Sequence, residues 1–237
     1  MKKIHVILAF IFLLTYTSCR KSSKDPDKVL PDKVLTDAVI DIQVLSQNLS
    51  IPWEITWGPD NMIWMTERGG KISRVSPVSG TVSVVTTISD VKSMGEGGLL
   101  GMVLHPNFTA NPHVFVVYNY DKAGTYMEKV VRFTYNGTTL NSPVVIFDNI
   151  AASNIHNGSR LVISSDLKLF ISTGDASNQP SAQSLASLTG KILRVNLDGT
   201  IPADNPVSGN AFWSYGHRNP QGLVFANNKL YSSEHGP

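Results

Sequence analysis

Three short stretches of this sequence gather the residue types that proton transfer and ligand binding require. The first, Gly95-Glu96-Gly97-Gly98-Leu99-Leu100-Gly101, sets one carboxylate among small residues that let a ligand or a neighbouring backbone approach closely. The second is Asn154-Ile155-His156-Asn157-Gly158-Ser159-Arg160-Leu161, whose imidazole can take up or release a proton near neutral pH. The third, Tyr215-Gly216-His217-Arg218-Asn219-Pro220-Gln221-Gly222-Leu223, packs polar groups between two glycines. Each also has a plainer reading: a glycine-rich turn, a hydrogen-bonded structural histidine, and an arginine buried in an ion pair.

The elements that must position these stretches are short and β-rich. No segment keeps a 3.6-residue apolar period over three turns, so helices are short at most. One unit recurs four times: an apolar run, a polar turn, and a second apolar run. The copies are Ile55–Trp57 with Met62–Met65, Met102–Leu104 with Val114–Tyr118, Leu161–Ile163 with Leu169–Ser172, and Leu223–Phe225 with Leu230–Ser232. Their turns centre near residues 60, 106, 166 and 227, a spacing of about 46, 60 and 61 residues. That interval holds a four-stranded propeller blade. Lys71–Val75 and Lys191–Asn196 read as third strands, with Val82–Ile88 and Val144–Phe147 as outer ones. The fold class is therefore all-β, a β-propeller rather than a sandwich or a meander whose turns look alike by chance. The chain stops just after a fourth repeat begins, so the expectation is an incomplete propeller, a fragment of about three and a half to four blades. All three polar stretches precede the first strand of a repeat. In a propeller those positions share one face around the central channel, where they can converge.

The chain has 237 residues, 42% hydrophobic and 16% charged, an ordinary globular composition. Residues 1–18 read as a secretory signal: Lys2 and Lys3, then an apolar run Ile4–Tyr16 too short to span a bilayer. Without them the basic and acidic residues balance, which argues against nucleic acid as a partner. Tyr16-Thr17-Ser18-Cys19 resembles a lipobox, at which bacterial lipoproteins are cut and acylated, with Tyr16 in place of the usual Leu. Cys19 would then be lipidated, and the protein exported and membrane-anchored, facing the periplasm or cell surface. It is the sole cysteine, so no intrachain disulfide forms. Residues 19–40 read as a flexible tether containing the duplication Pro26–Leu30 and Pro31–Leu35, and 41–237 as the N-terminal part of the propeller domain. The Asn48, Asn107, Asn136 and Asn157 sequons carry little weight in a bacterial lipoprotein.

The Gly216–Leu223 string, with His156 and Glu96–Gly101 upstream, resembles the soluble quinoprotein sugar dehydrogenases, the glucose/sorbosone dehydrogenase family, over roughly Leu45–Pro237. The resemblance implies a six-bladed propeller that binds pyrroloquinoline quinone and calcium. It also implies oxidation of aldose sugars at the anomeric carbon, giving lactones, with an electron acceptor it does not specify. On it, His156 is the general base, and activity falls as acid protonates the imidazole. Arg218 faces the quinone oxygen as a catalytic and cofactor-binding cation, and Asn219 hydrogen-bonds the cofactor. Gly236 and Pro237 offer backbone carbonyls to calcium. Glu96 stands where glucose-oxidising members carry a substrate-binding glutamine, and Ile155 where they carry a sugar-holding aspartate, which puts glucose itself in doubt. The family's C-terminal half supplies further basic residues, so the expectation is that the fragment alone is inactive. His217 reads as structural, and Asp175 as a turn carboxylate. The competing class is a non-catalytic propeller binding a glycan or protein; a third is a lactonase-type hydrolase, towards which only Glu96 and Asn154 stand near the right edges.

Overall fold

The computed structural model describes residues 42–236. The expected signal segment 1–18, Cys19 and the expected tether 19–40 lie outside the described residues, as does Pro237. All the secondary structure among the described residues lies in the unit Val44–Pro237.

It is built from three four-stranded antiparallel sheets and a two-stranded one. The first sheet is β1 (Pro52–Trp57), β2 (Ile63–Glu67), β3 (Lys71–Val75) and β4 (Val82–Thr87); the second is β5 (Leu99–Leu104), β6 (His113–Lys122), β7 (Thr125–Tyr135) and β8 (Leu140–Ala151). The third is β9 (Gly158–Ile163), β10 (Lys168–Thr173), β11 (Lys191–Asn196) and β12 (Phe212–Tyr215), and β13 (Pro220–Ala226) pairs β14 (Lys229–Glu234) in the fourth. Each sheet is a simple meander in chain order. The first strands β1, β5, β9 and β13 neighbour one another in turn, as the inner strands of propeller blades do. One short 3₁₀ turn, Gln179–Gln183, is the only helix among the described residues.

Period-two alternation explains why these residues form stacked blades. On β6, Val114, Val116 and Tyr118 enter the core shared with the first sheet, beside Trp64, Ile72 and Leu99. Phe115 and Val117 enter the core shared with the third, beside Leu161, Leu169 and Leu193. A strand buried on both faces must be apolar at successive positions, which is the continuous run seen in the sequence. Each such side chain contributes about 1.5–3 kcal/mol by burial. The hairpins obey local turn chemistry: Ala226 pairs Lys229, and Asn227 and Asn228 between them take φ of 51° and 57°, the left-handed pair a two-residue β-turn needs.

All four expected hairpins form. Two strands are not foreseen, β7 and β12. β7 lies in the longest meander, where β6, β7 and β8 have 10, 11 and 12 residues, and this lengthening accounts for the wider spacing of the second repeat. In the third blade, the excess length lies in the β10–β11 and β11–β12 connections.

Candidate active site

His156 sits in a turn folded by left-handed backbone at His156 (φ 59°), Gly158 (φ 68°) and Ser159 (φ 63°), costly conformations outside glycine. The turn is held by close approach to the end of β10, where a Cβ on Gly174 would overlap the His156 carbonyl oxygen. Thr173 pairs Gly158 across the β9–β10 ladder, and continuing that register two residues sets Asp175 opposite His156. The imidazole Nδ1 lies 2.9 Å from Asp175 Oδ1, and the two side chains are 13% and 4% exposed. A carboxylate only accepts, so Nδ1 carries the hydrogen, which in the neutral imidazole leaves the lone pair on Nε2. This is the geometry of an oriented general base.

Asp175 also joins the third polar stretch to the second. Its carboxylate accepts from the Ser177 N–H at 2.9 Å, and its own N–H donates to the Arg218 carbonyl at 2.8 Å. The half-buried Arg218 donates from Nη1 to the His235 carbonyl at 2.9 Å, and its N–H donates to Glu234. Glu234 meets His217 Nδ1 at 2.9 Å as well. Burial pushes the Glu234 carboxyl up, but His217 and the N–H groups of Arg218 and Asn219 outweigh it, leaving the group below the usual carboxylate value.

The remaining expected residues fall around this centre. Glu96 Oε2 accepts the His156 N–H at 3.0 Å, and the Glu96 N–H donates to Asn154 O at 2.7 Å, so the first stretch lies against the second. Asn219 is 2% exposed, and its Oδ1 accepts the Gly158 N–H at 3.0 Å, stapling β13 to the His156 turn. His217 is bound at both ring nitrogens, Nε2 lying 2.7 Å from Ser214 Oγ. Gly236 is exposed beyond β14. Among the described residues no three His, Cys, Asp or Glu side chains gather as a metal site.

A cleft of about 470 Å³ opens here, lined by Asp175, Gln179, Gln183, His217, Arg218 and Glu234 among others. Its 3₁₀ wall is held by Lys191, which is fully buried and donates to the carbonyls of Ser181, Ala182 and Thr189 at 3.1, 2.9 and 2.7 Å. Asp175 is the residue the sequence reading underrates. It is a turn carboxylate, yet the ladder register aims it at His156, and counting the β9–β10 pairing inward from the hairpin is the signal that finds it.

A propeller face carrying a histidine–carboxylate pair and an arginine beside an open cleft is a candidate site for proton transfer. The chain belongs to the glucose/sorbosone dehydrogenase family, whose sequence pattern matches residues 49–237. It is 38% identical to quinoprotein glucose dehydrogenase B of Acinetobacter calcoaceticus, over 83% of this chain and 48% of that protein. It is 33% identical to an aldose sugar dehydrogenase of Escherichia coli, over 84% of this chain and 57% of that protein. The PQQ-bound form of the aldose sugar dehydrogenase from Streptomyces coelicolor superposes with a TM-score of 0.76 at 32% identity, covering 83% of this chain and 60% of that one. The chain thus spans about half the length of the curated relatives it matches.

Proposed function

We propose that this chain carries the base, its orienting carboxylate and the cationic wall of a site that oxidises aldose sugars at the anomeric carbon to lactones. The observation that carries this reading is the His156–Asp175 pair at 2.9 Å, joined to Arg218 through the Asp175 N–H. His156 Nε2 takes the anomeric hydroxyl proton while the C1 hydrogen departs as hydride with two electrons, leaving a C1=O bond. Asp175 holds the imidazole in the required tautomer and stabilises the imidazolium that forms. Pyrroloquinoline quinone, when bound, supplies the two-electron acceptor for that hydride. The cleft offers the quinone's carbonyls and carboxylates donors in the Arg218 guanidinium and the Gln179 and Gln183 amides, while the Asp175 and Glu234 carboxylates on the same lining are engaged by His156, His217 and the Arg218 N–H. Calcium would be held by hard backbone carbonyls, that of Gly236 and, on the family resemblance, that of Pro237, which lies outside the described residues. Glu96 keeps one carboxylate oxygen for a sugar hydroxyl, while Ile155, 37% exposed beside the base, offers no polar contact. Aldoses that do not depend on that contact are the preferred substrates. A binding module has no need of an oriented base, so the pair favours the enzyme over a glycan-binding propeller.

The test is reconstitution with pyrroloquinoline quinone and calcium, using the chain alone and fused ahead of the C-terminal half of the Escherichia coli relative, across an aldose panel. Sugar-dependent dye reduction is expected in the fused form and is lost with His156→Ala. A fused protein that folds, binds the quinone and turns over equally well with His156→Ala overturns the assignment of the base.

A further inference from the structure

Beneath the contact between Glu96 and His156 lies a buried polar cluster for which the reaction above has no use. Glu128, on β7, is 1% exposed and stands opposite the fully buried Asn119 on β6. Asn119 clamps the strand entry that carries Glu96: its Oδ1 accepts the Gly98 N–H at 2.9 Å, and its N–H donates to Gly98 O at 3.0 Å. On its other side Glu128 Oε2 accepts the Ser159 hydroxyl. Ser159 is itself fully buried and left-handed, and its hydroxyl lies 3.2 Å from Asn157 O, within the turn that presents His156. One carboxyl is therefore bonded to the turn that presents His156 and stands in register opposite the residue that clamps the strand entry carrying Glu96.

We propose that Glu128 is a positioning residue for His156: through Ser159 its carboxyl fixes the turn that presents His156 against Glu96. Only the catalytic consequence rests on His156 being the base; the coupling between Glu128 and the His156 turn stands without it.

The clamp is coupled to the protonation state of Glu128. Burial pushes its carboxyl up to about 8, against smaller opposing effects of Ser159 and Asn119. Tyr126 faces it from its own strand; Arg68 acts on Tyr126, and its Nη1 is spent on the Gly95 carbonyl at 2.7 Å. Ile150, its neighbour on β8, carries no charge. Glu128 Oε1 and Asn119 Nδ2 are buried without hydrogen-bond partners among the described residues. An ionised Glu128 would thus be a buried charge with one donor, the Ser159 hydroxyl, and its formation draws that hydroxyl closer and so shifts the His156 turn.

The experiment is nitrogen NMR of the His156 imidazole in the purified chain from pH 6 to 9.5, the signal being identified by its loss in His156→Gln, with amide hydrogen exchange of residues 154–159 beside it. Wild type should show an alkaline inflection near pH 8. Glu128→Gln, which keeps the shape and a neutral hydrogen-bonding group, should keep the neutral-pH spectrum and lose that inflection. Glu128→Leu should move the His156 signal and raise exchange across 154–159 by about tenfold or more. The proposal is overturned if the inflection survives in Glu128→Gln. It is also overturned if a folded Glu128→Leu leaves the His156 signal and exchange at wild-type values. Should Glu128→Leu not fold, the comparison of wild type with Glu128→Gln decides. Turnover that persists in His156→Ala would remove the base assignment and leave this coupling intact.

Discussion

Replacing Lys191 by methionine removes a buried ammonium while nearly keeping its volume, and the cost follows from where its three hydrogen bonds go. The Ala182 carbonyl retains a second donor in the Gly216 N–H at 2.9 Å, and the Ser181 carbonyl retains the Ser184 N–H at 3.0 Å. The Thr189 carbonyl has no other donor among the described residues. One orphaned buried carbonyl costs about 1–3 kcal/mol, and two weakened contacts add a fraction each. Relief from burying a charge offsets part of this, leaving about 2–3 kcal/mol. For a unit of this size that lowers the melting temperature by about 5–10 °C. The sign with pH is also fixed. Burial holds the folded Lys191 below its ordinary 10.5, whereas the unfolded chain keeps the proton up to that value. Between the two the unfolded state binds more protons, so raising the pH stabilises wild type and leaves Lys191→Met unaffected. Urea denaturation of both proteins across the alkaline range should therefore show a gap that widens with pH. A loss below about 0.5 kcal/mol, or a gap independent of pH, would refute the account of Lys191 as the clamp on the 3₁₀ wall.

Asp175→Asn lets an amide N–H face Nδ1 and favours the wrong tautomer, so turnover of a reconstituted enzyme should fall by about 10³–10⁴ with little change in melting temperature; a loss under threefold would count against the pair. Gly174→Ala drives a methyl into the His156 carbonyl and should cost about 1–3 kcal/mol of stability, with the His156 imidazole signal displaced; an unperturbed signal in a stable variant contradicts the close approach. Trp64→Ala empties the heart of the core between the first two sheets, where Trp64 is fully buried, and should cost about 3–5 kcal/mol with an unchanged urea slope. Cys19→Ser should move the protein from the membrane fraction to the soluble one if the lipobox reading holds; retention at the membrane argues against a lipid anchor.

The hairpins were legible because each is written locally, as two apolar runs flanking residues such as Asn227 and Asn228 that accept left-handed backbone. The convergence of Glu96, His156 and Arg218 was legible as well, because all three stretches precede first strands. Asp175 was harder, since its role is set by pairing with a residue 19 positions away and its immediate neighbours describe only a turn. Lys191 and Glu128 were invisible. A charged residue inside a β-rich run reads as the solvated face of a strand, and only stacking of one blade on the next shows that both are buried. β7 escaped because its apolar positions are interrupted by Glu128, Lys129 and Arg132, charges that burial and the neighbouring sheets accommodate.

The ladder between β9 and β10 has a consequence for how this site tolerates change. His156 and Asp175 flank one end of the hairpin, while its turn, Ser164–Leu167, lies at the other. Residues can be gained or lost in that turn without altering the 2.9 Å contact, provided Leu161 still pairs with Ile171. A slip of one position in the ladder, by contrast, would turn Asp175 to the opposite face and uncouple the pair at once. Sequence length at the turn is thus free to drift over evolution, and register is the quantity on which selection acts.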